Sequence, residues 1–157
     1  MNEITRLQQY LALLRTTANW SVQEFADMLG VTRQTINNLE KTNDPIKMSK
    51  IQYLAIRSLF SYEINNGNKM LGQLLYCLVD HPEKMTDKDR NAIAHQAKIL
   101  SSAIKGGSSK KDIEQSWASI FTDDTWAKIL GVTIGVIGAS LATIGTDWIK
   151  VAISKKK

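Results

Sequence analysis

The chain is poor in the residues that cross-link or interrupt a polypeptide. Its single cysteine, Cys77, excludes an intrachain disulfide framework and any cysteine-rich zinc module. Two prolines and nine glycines in 157 residues leave room for long helices, and strand-type alternation is nearly absent. The opening MNEITRLQQY has no apolar stretch and carries Glu3, so no signal peptide is expected and a reducing cytoplasm is. No region is dominated by one sign of charge. The net +5 divides as seven Lys/Arg against six Asp/Glu in residues 1–67, eight against six in 68–122, and five against three in 123–157. Charge alone therefore marks no nucleic-acid surface.

Catalytic and metal signals are equally thin. Gly106-Gly107 is not followed by the Lys-Ser/Thr of a phosphate-binding loop, and no nucleophile motif occurs. Cys77 and His81 lie four apart with His95 elsewhere, a poor metal set; a buried thiol and a helix-terminal histidine account for them better. Asp87, Asp89, Asp123 and Asp124 read as helix-capping or first-turn acids rather than a catalytic pair. The expectation is a non-enzyme with no cofactor, no metal and no identifiable small-molecule ligand. At 43% hydrophobic and 22% charged residues, the composition is that of an ordinary globular protein.

What is present is helical periodicity. Ile4, Leu7, Leu11 and Leu14 predict one helix from Ile4 to about Thr16, broken at Asn19-Trp20. Ser21 with Glu24 forms a capping box for a second helix, with Val22, Phe25, Ala26 and Leu29 inward and Gly30 as its stop. Thr32 caps a third, about Arg33 to Lys41, with Ile36 and Leu39 inward. Thr42-Asn43-Asp44-Pro45 is a turn. Two further helices reach Ile64, with Met48, Ile51, Leu54 or Ala55, and Leu59 inward. Residues 68–80 predict a helix burying Leu71, Leu74, Leu75 and Leu78, stopped by His81-Pro82. Thr86 opens another, with Ile93, Ala97, Leu100 and Ile104 on one face. Gly106-Gly107-Ser108-Ser109 is the best linker, and Ile113, Trp117 and Ile120 or Phe121 mark a short helix beyond it.

In the stretch Ser21–Lys41, small Ala26 permits close helix approach, Gly30 makes the turn, and Val31, Ile36 and Leu39 lock the crossing. Arg33, Gln34, Thr35, Asn37 and Asn38 are left outward, donors and acceptors suited to base edges in a major groove. This stretch resembles the helix-turn-helix of the Xre/Cro–CI (lambda-repressor-like) family, the resemblance covering residues 4–64. The run from Gly30 to Ile36, then Leu39-Glu40 and Pro45, carries it. The resemblance implies a five-helix DNA-binding bundle and a DNA-contacting set of Thr32, Arg33, Gln34, Thr35 and Asn38. Val22 stands where the family usually has a phosphate-contacting glutamine, so either Gln23 takes that role or the contact is missing. With so little surplus charge, a homodimer is expected.

Ile129 to Thr146 is eighteen residues without a charge, and a helix of that length spans about 27 Å. Trp126 and Lys128 precede it, and Trp148 and Lys150 follow, as interfacial anchors would. Gly131, Gly135, Gly138, Ala142 and Gly145 form a small-residue stripe suited to helix self-association, although Thr133, Ser140, Thr143 and Asp147 make a polar third face. Two readings stay open: a membrane-associated helix of about 126–153, or a soluble helix seam.

The expectation is thus an all-α chain with four regions. Residues 1–66 form the helix-turn-helix domain, 67–105 a helical dimerisation or sensing region, 106–111 a linker, and 112–157 a C-terminal region with a hydrophobic, Gly-striped helix. It reads as a sequence-specific, nucleoid-associated regulator of transcription, a dimeric repressor, with cytoplasmic-membrane anchoring open. The alternative is a membrane-tethered or membrane-active effector whose helix-turn-helix autoregulates or senses. A toxin-neutralising type of protein-interaction module is a third reading.

Overall fold

The computed structural model describes residues 2–131, 148–150 and 152–153. Among them every regular element is a helix, with no strand. The first five helices are α1 (Glu3–Gln9), α2 (Leu11–Thr17), α3 (Val22–Leu29), α4 (Arg33–Glu40) and α5 (Lys50–Asn65). Five helices were expected here, and five form, but divided differently. The predicted first helix is split at Tyr10, whose φ of −105° and ψ of 12° leave the helical region. Its apolar stripe nevertheless runs through both halves, with Leu7, Leu11 and Leu14 all fully buried. The predicted fourth and fifth helices are one sixteen-residue helix, started by a Ser49–Gln52 capping box.

The buried face of α5 also differs from expectation. Tyr53, Ile56, Phe60 and Ile64 point inward, while Ile51 is 80% exposed and Ala55 is exposed. A single uninterrupted helix fixes the phase over its whole length, and the aromatic residues Tyr53 and Phe60 set it. Met48, just before α5, is buried as expected.

After Asn68, α6 (Lys69–Leu75) runs into a π-helical turn, Tyr76–Asp80, closed by His81 N donating to the Tyr76 carbonyl at 2.7 Å. Leu71, Leu74, Leu75 and Leu78 are all buried. A short 3₁₀ turn, Pro82–Lys84, leads to α7 (Asp87–Lys105), N-capped by Thr86. Gly106-Gly107 makes the turn to α8 (Lys110–Ile120), which Ser109 caps. Thr122 caps α9 (Asp123–Leu130). One continuous core joins these helices to the first five. Thr17 of α2 and Ser101 of α7, both buried, pair through their hydroxyls at 3.1 Å.

Among the described residues, the flanks of the C-terminal hydrophobic stretch differ from expectation. The helix that holds Trp126, α9, ends at Leu130 and does not continue through Gly131. Gly131 adopts the left-handed conformation, φ 70°, as a helix C-cap rather than as part of a helical stripe. Gly135, Gly138, Ala142 and Gly145 lie outside the described residues. The two tryptophans assigned to membrane interfaces are buried in protein instead. Trp126 is fully buried, edge-on to Tyr76 at 5.2 Å, and Trp148 is 5% exposed against α5. The indole Nε1 of Trp148 donates to Ser61 Oγ at 2.7 Å, and its ring packs edge-on to Tyr53. Among the described residues no helix is long and apolar enough to cross a membrane.

Candidate nucleic-acid interface

Local chemistry sets where the two helices start and where the first one ends. At the start of α3, Glu24 N donates to Ser21 Oγ at 3.0 Å and Ser21 N to Glu24 Oε1 at 3.1 Å, satisfying two orphan donors. At its end, Gly30 takes φ 70° and turns the chain in a way that a side chain would resist. Thr32 then caps α4 by accepting from Thr35 N at 3.2 Å. Ala26 is fully buried, and so are Phe25 and Ile36, while Leu39 is 3% exposed. Two buried residues one turn apart hold α4 by one face and fix which face looks outward.

On that outer face Arg33, Gln34 and Asn37 are exposed, Thr32 is exposed at its start, and Thr35 and Asn38 are half-buried at its edges. Gln34 Nε2 donates to Asn38 Oδ1 at 2.9 Å, an i,i+4 pair along the helix. The hydroxyls of Thr32 and Thr35 lie 3.1 Å apart. Gln23, the candidate for the phosphate contact, is exposed on α3 and donates to Asp27 at 2.7 Å. The six candidates from Thr32 to Asn38 therefore share one helix, and Gln23 stands on its partner.

Three holding residues have no local sequence signal. Arg15 of α2 is 7% exposed and grips both oxygens of Glu40, the last residue of α4, at 2.7 and 3.1 Å. Its remaining nitrogen donates to the Trp20 carbonyl at 2.8 Å, tying the α2–α3 turn to the end of α4. The Trp20 ring stacks on Phe25 of α3 and Phe60 of α5 at 5.7 and 5.6 Å. Gln8 fastens the loop after α4, donating to the carbonyls of Leu39 and Ile46 and accepting from Met48 N. Lys41 and Lys47 stand exposed on that loop.

The groups that could suggest a metal or a reactive thiol are accounted for by their surroundings among the described residues. Cys77 is fully buried and burial pushes its thiol up to about 12, while His81 leans on Tyr76 and Glu83. Among the described residues no group of three or more His, Cys, Asp or Glu could hold a metal ion.

Two short helices crossing through a buried Ala26 and a left-handed Gly30, with a polar face on the second, have the geometry of a helix-turn-helix. Comparison with protein families agrees: residues 11–52 match the helix-turn-helix family. The matched segment runs from the start of α2 into the first turn of α5, shorter than the 4–64 over which resemblance was expected. Residues 11–52 are thus similar to the helix-turn-helix of DNA-binding, Xre-like transcription regulators. No curated protein and no solved structure matches the chain.

Proposed function

We propose that the protein is a sequence-specific transcriptional repressor that binds a two-fold operator as a homodimer, with α4 in the major groove. The observation that carries this is the outer face of α4, polar throughout and fixed in direction by buried Ile36 and Leu39. Arg33 and Gln34 read base edges, the forked guanidinium suiting guanine and the amide suiting adenine. Gln34 exchanges its bond to Asn38 for a base edge, so its side chain is straightened before it binds. Thr32, Thr35, Asn37 and Asn38 meet phosphates or flanking bases, and Gln23 meets a phosphate from the first turn of α3. Lys41 and Lys47 on the following loop add phosphate contacts.

The dimer is argued from charge. Of the seven Lys/Arg in residues 1–67, Arg15 and Arg57 are bound in buried ion pairs, which leaves few cations for phosphates. Two copies double the contacts and set half-sites about 34–36 Å or a multiple apart. The experiment is selection of binding sites from random DNA, then titration of the selected site at several stated salt concentrations. Arg33→Ala and Gln34→Ala should each lose about 1–3 kcal/mol and relax preference at one base position per half-site. Unchanged affinity and unchanged preference in both variants would remove α4 as the reading helix.

A further inference from the structure

A cavity of about 270 Å³ opens where the helix-turn-helix half meets the later helices. One wall is the α2–α3 turn, Thr17 to Trp20; the others are the end of α5, the start of α6, and α7 with α8. Its floor is apolar, with Ala18, Met70, Ile104 and Ile113, and its rim carries Glu63, Glu114 and Lys110. None of these three charged groups is engaged in an ion pair among the described residues, although both signs line the same hollow. A second hollow of about 190 Å³ shares Asn19, Trp20 and Ser101 with it and adds Lys105.

We propose that this cavity binds a small zwitterion with an apolar side chain, the chemistry of a free α-amino acid. Lys110 takes the carboxylate, Glu63 and Glu114 take the ammonium, and the apolar floor takes the side chain. An acid alone would leave both rim carboxylates without a ligand partner, and an amine alone would make no use of Lys110. The volume sits at the small end of ligand sites, which limits the occupant to this size class.

The place of the cavity gives it a route to α4. Asn19, a non-glycine residue at φ 65°, and Trp20 form its wall, and the Trp20 carbonyl is held by the same Arg15 that grips Glu40 at the end of α4. An occupant pressing on this turn therefore acts on the helix assigned to DNA. That consequence rests on the DNA-binding reading; the binding itself does not.

The test uses the full chain without DNA, titrated by calorimetry and ligand-observed NMR with L-leucine, L-phenylalanine, L-leucinamide and isocaproate. At least one of the two amino acids should bind, and leucinamide and isocaproate should bind about tenfold more weakly than leucine or not at all. Lys110→Met and Glu114→Gln, both exposed on α8, should each weaken binding about tenfold, and Ile104→Trp should block it by filling the floor. Neither amino acid binding at about 10 mM would overturn the proposal. So would equal binding of leucinamide or isocaproate, or binding indifferent to all three substitutions. In a second arm the selected operator is titrated with and without the bound amino acid. A severalfold change in affinity, lost in Lys110→Met, is expected, and binding without any change would overturn the coupling through Trp20.

Discussion

Arg15 and Glu40 hold the end of α4 without reaching its outer polar face. Their side chains are 8% and 11% exposed and bonded at both carboxylate oxygens, so removing one leaves the other charged and buried. Glu40→Ala should cost about 3 kcal/mol in urea unfolding, and Arg15→Met combined with Glu40→Leu should restore most of it. Equal losses in the single and double variants would refute this. The outer residues of α4 were legible because a polar helix face stands out against two apolar positions. Arg15–Glu40 was not, since a pair 25 positions apart leaves no mark on local periodicity. At this scale the molecule also has a defined alkaline weakness. Burial raises the Cys77 thiol to about 12 and, as the largest effect, raises the Tyr53 hydroxyl to about 12. Both groups stay neutral in the fold at pH values where the unfolded chain ionises them. Stability should therefore be constant up to about pH 9 and decline from there toward pH 12, as followed by denaturant midpoints.

Single elements give sharper tests of phase and termination. Because α5 is one helix, Ile51 and Ile56 make opposite predictions. Ile51→Lys, at an 80% exposed position, should change stability by about 0.5 kcal/mol or less, whereas Ile56→Ala should cost about 2–4 kcal/mol. The reverse order would restore the phase read from the sequence. That reading holds for Leu54 and Leu59, which pack half-buried against the core, and fails at Ile51, whose helical spacing to them is as good as that of Ile56, Phe60 and Ile64 to one another. Only contact with Phe25 and the other helices decides between them. The caps were legible almost residue by residue: Ser21, Thr32 and Thr86 start their helices, and Gly30 ends one. Each is a local bonding solution that needs no tertiary information. Gly30→Ala should cost about 1 kcal/mol, all of it from the left-handed backbone, since nothing lies within 4 Å of an added Cβ. The π turn at Tyr76–Asp80 had no such signature. Its last residue, Asp80, bonds Arg57 through both oxygens at 2.7 and 3.0 Å, a long-range contact.

Across the whole molecule, the helices after Asn68 are packed onto the helix-turn-helix half rather than standing apart from it. Thr17 meets Ser101, Arg57 meets Asp80, and Trp148 covers Arg57 at 5.3 Å. The tryptophans illustrate why the C-terminal part was the hardest to read. An indole flanked by lysine suits a membrane interface and a protein core equally well, and only the presence of Tyr53, Ser61 and Tyr76 as partners distinguishes them. Trp148→Ala should lower the stability of the entire cooperative transition by about 3 kcal/mol, and a separate early transition would count against this packing. The most direct test of the central reading is titration of a selected operator with full-length protein and Gln34→Ala across a salt series. The variant is expected to fold normally, keep the salt slope, and lose preference at one position in each half-site. Identical sequence preference in the two proteins would contradict the assignment of α4 to the major groove.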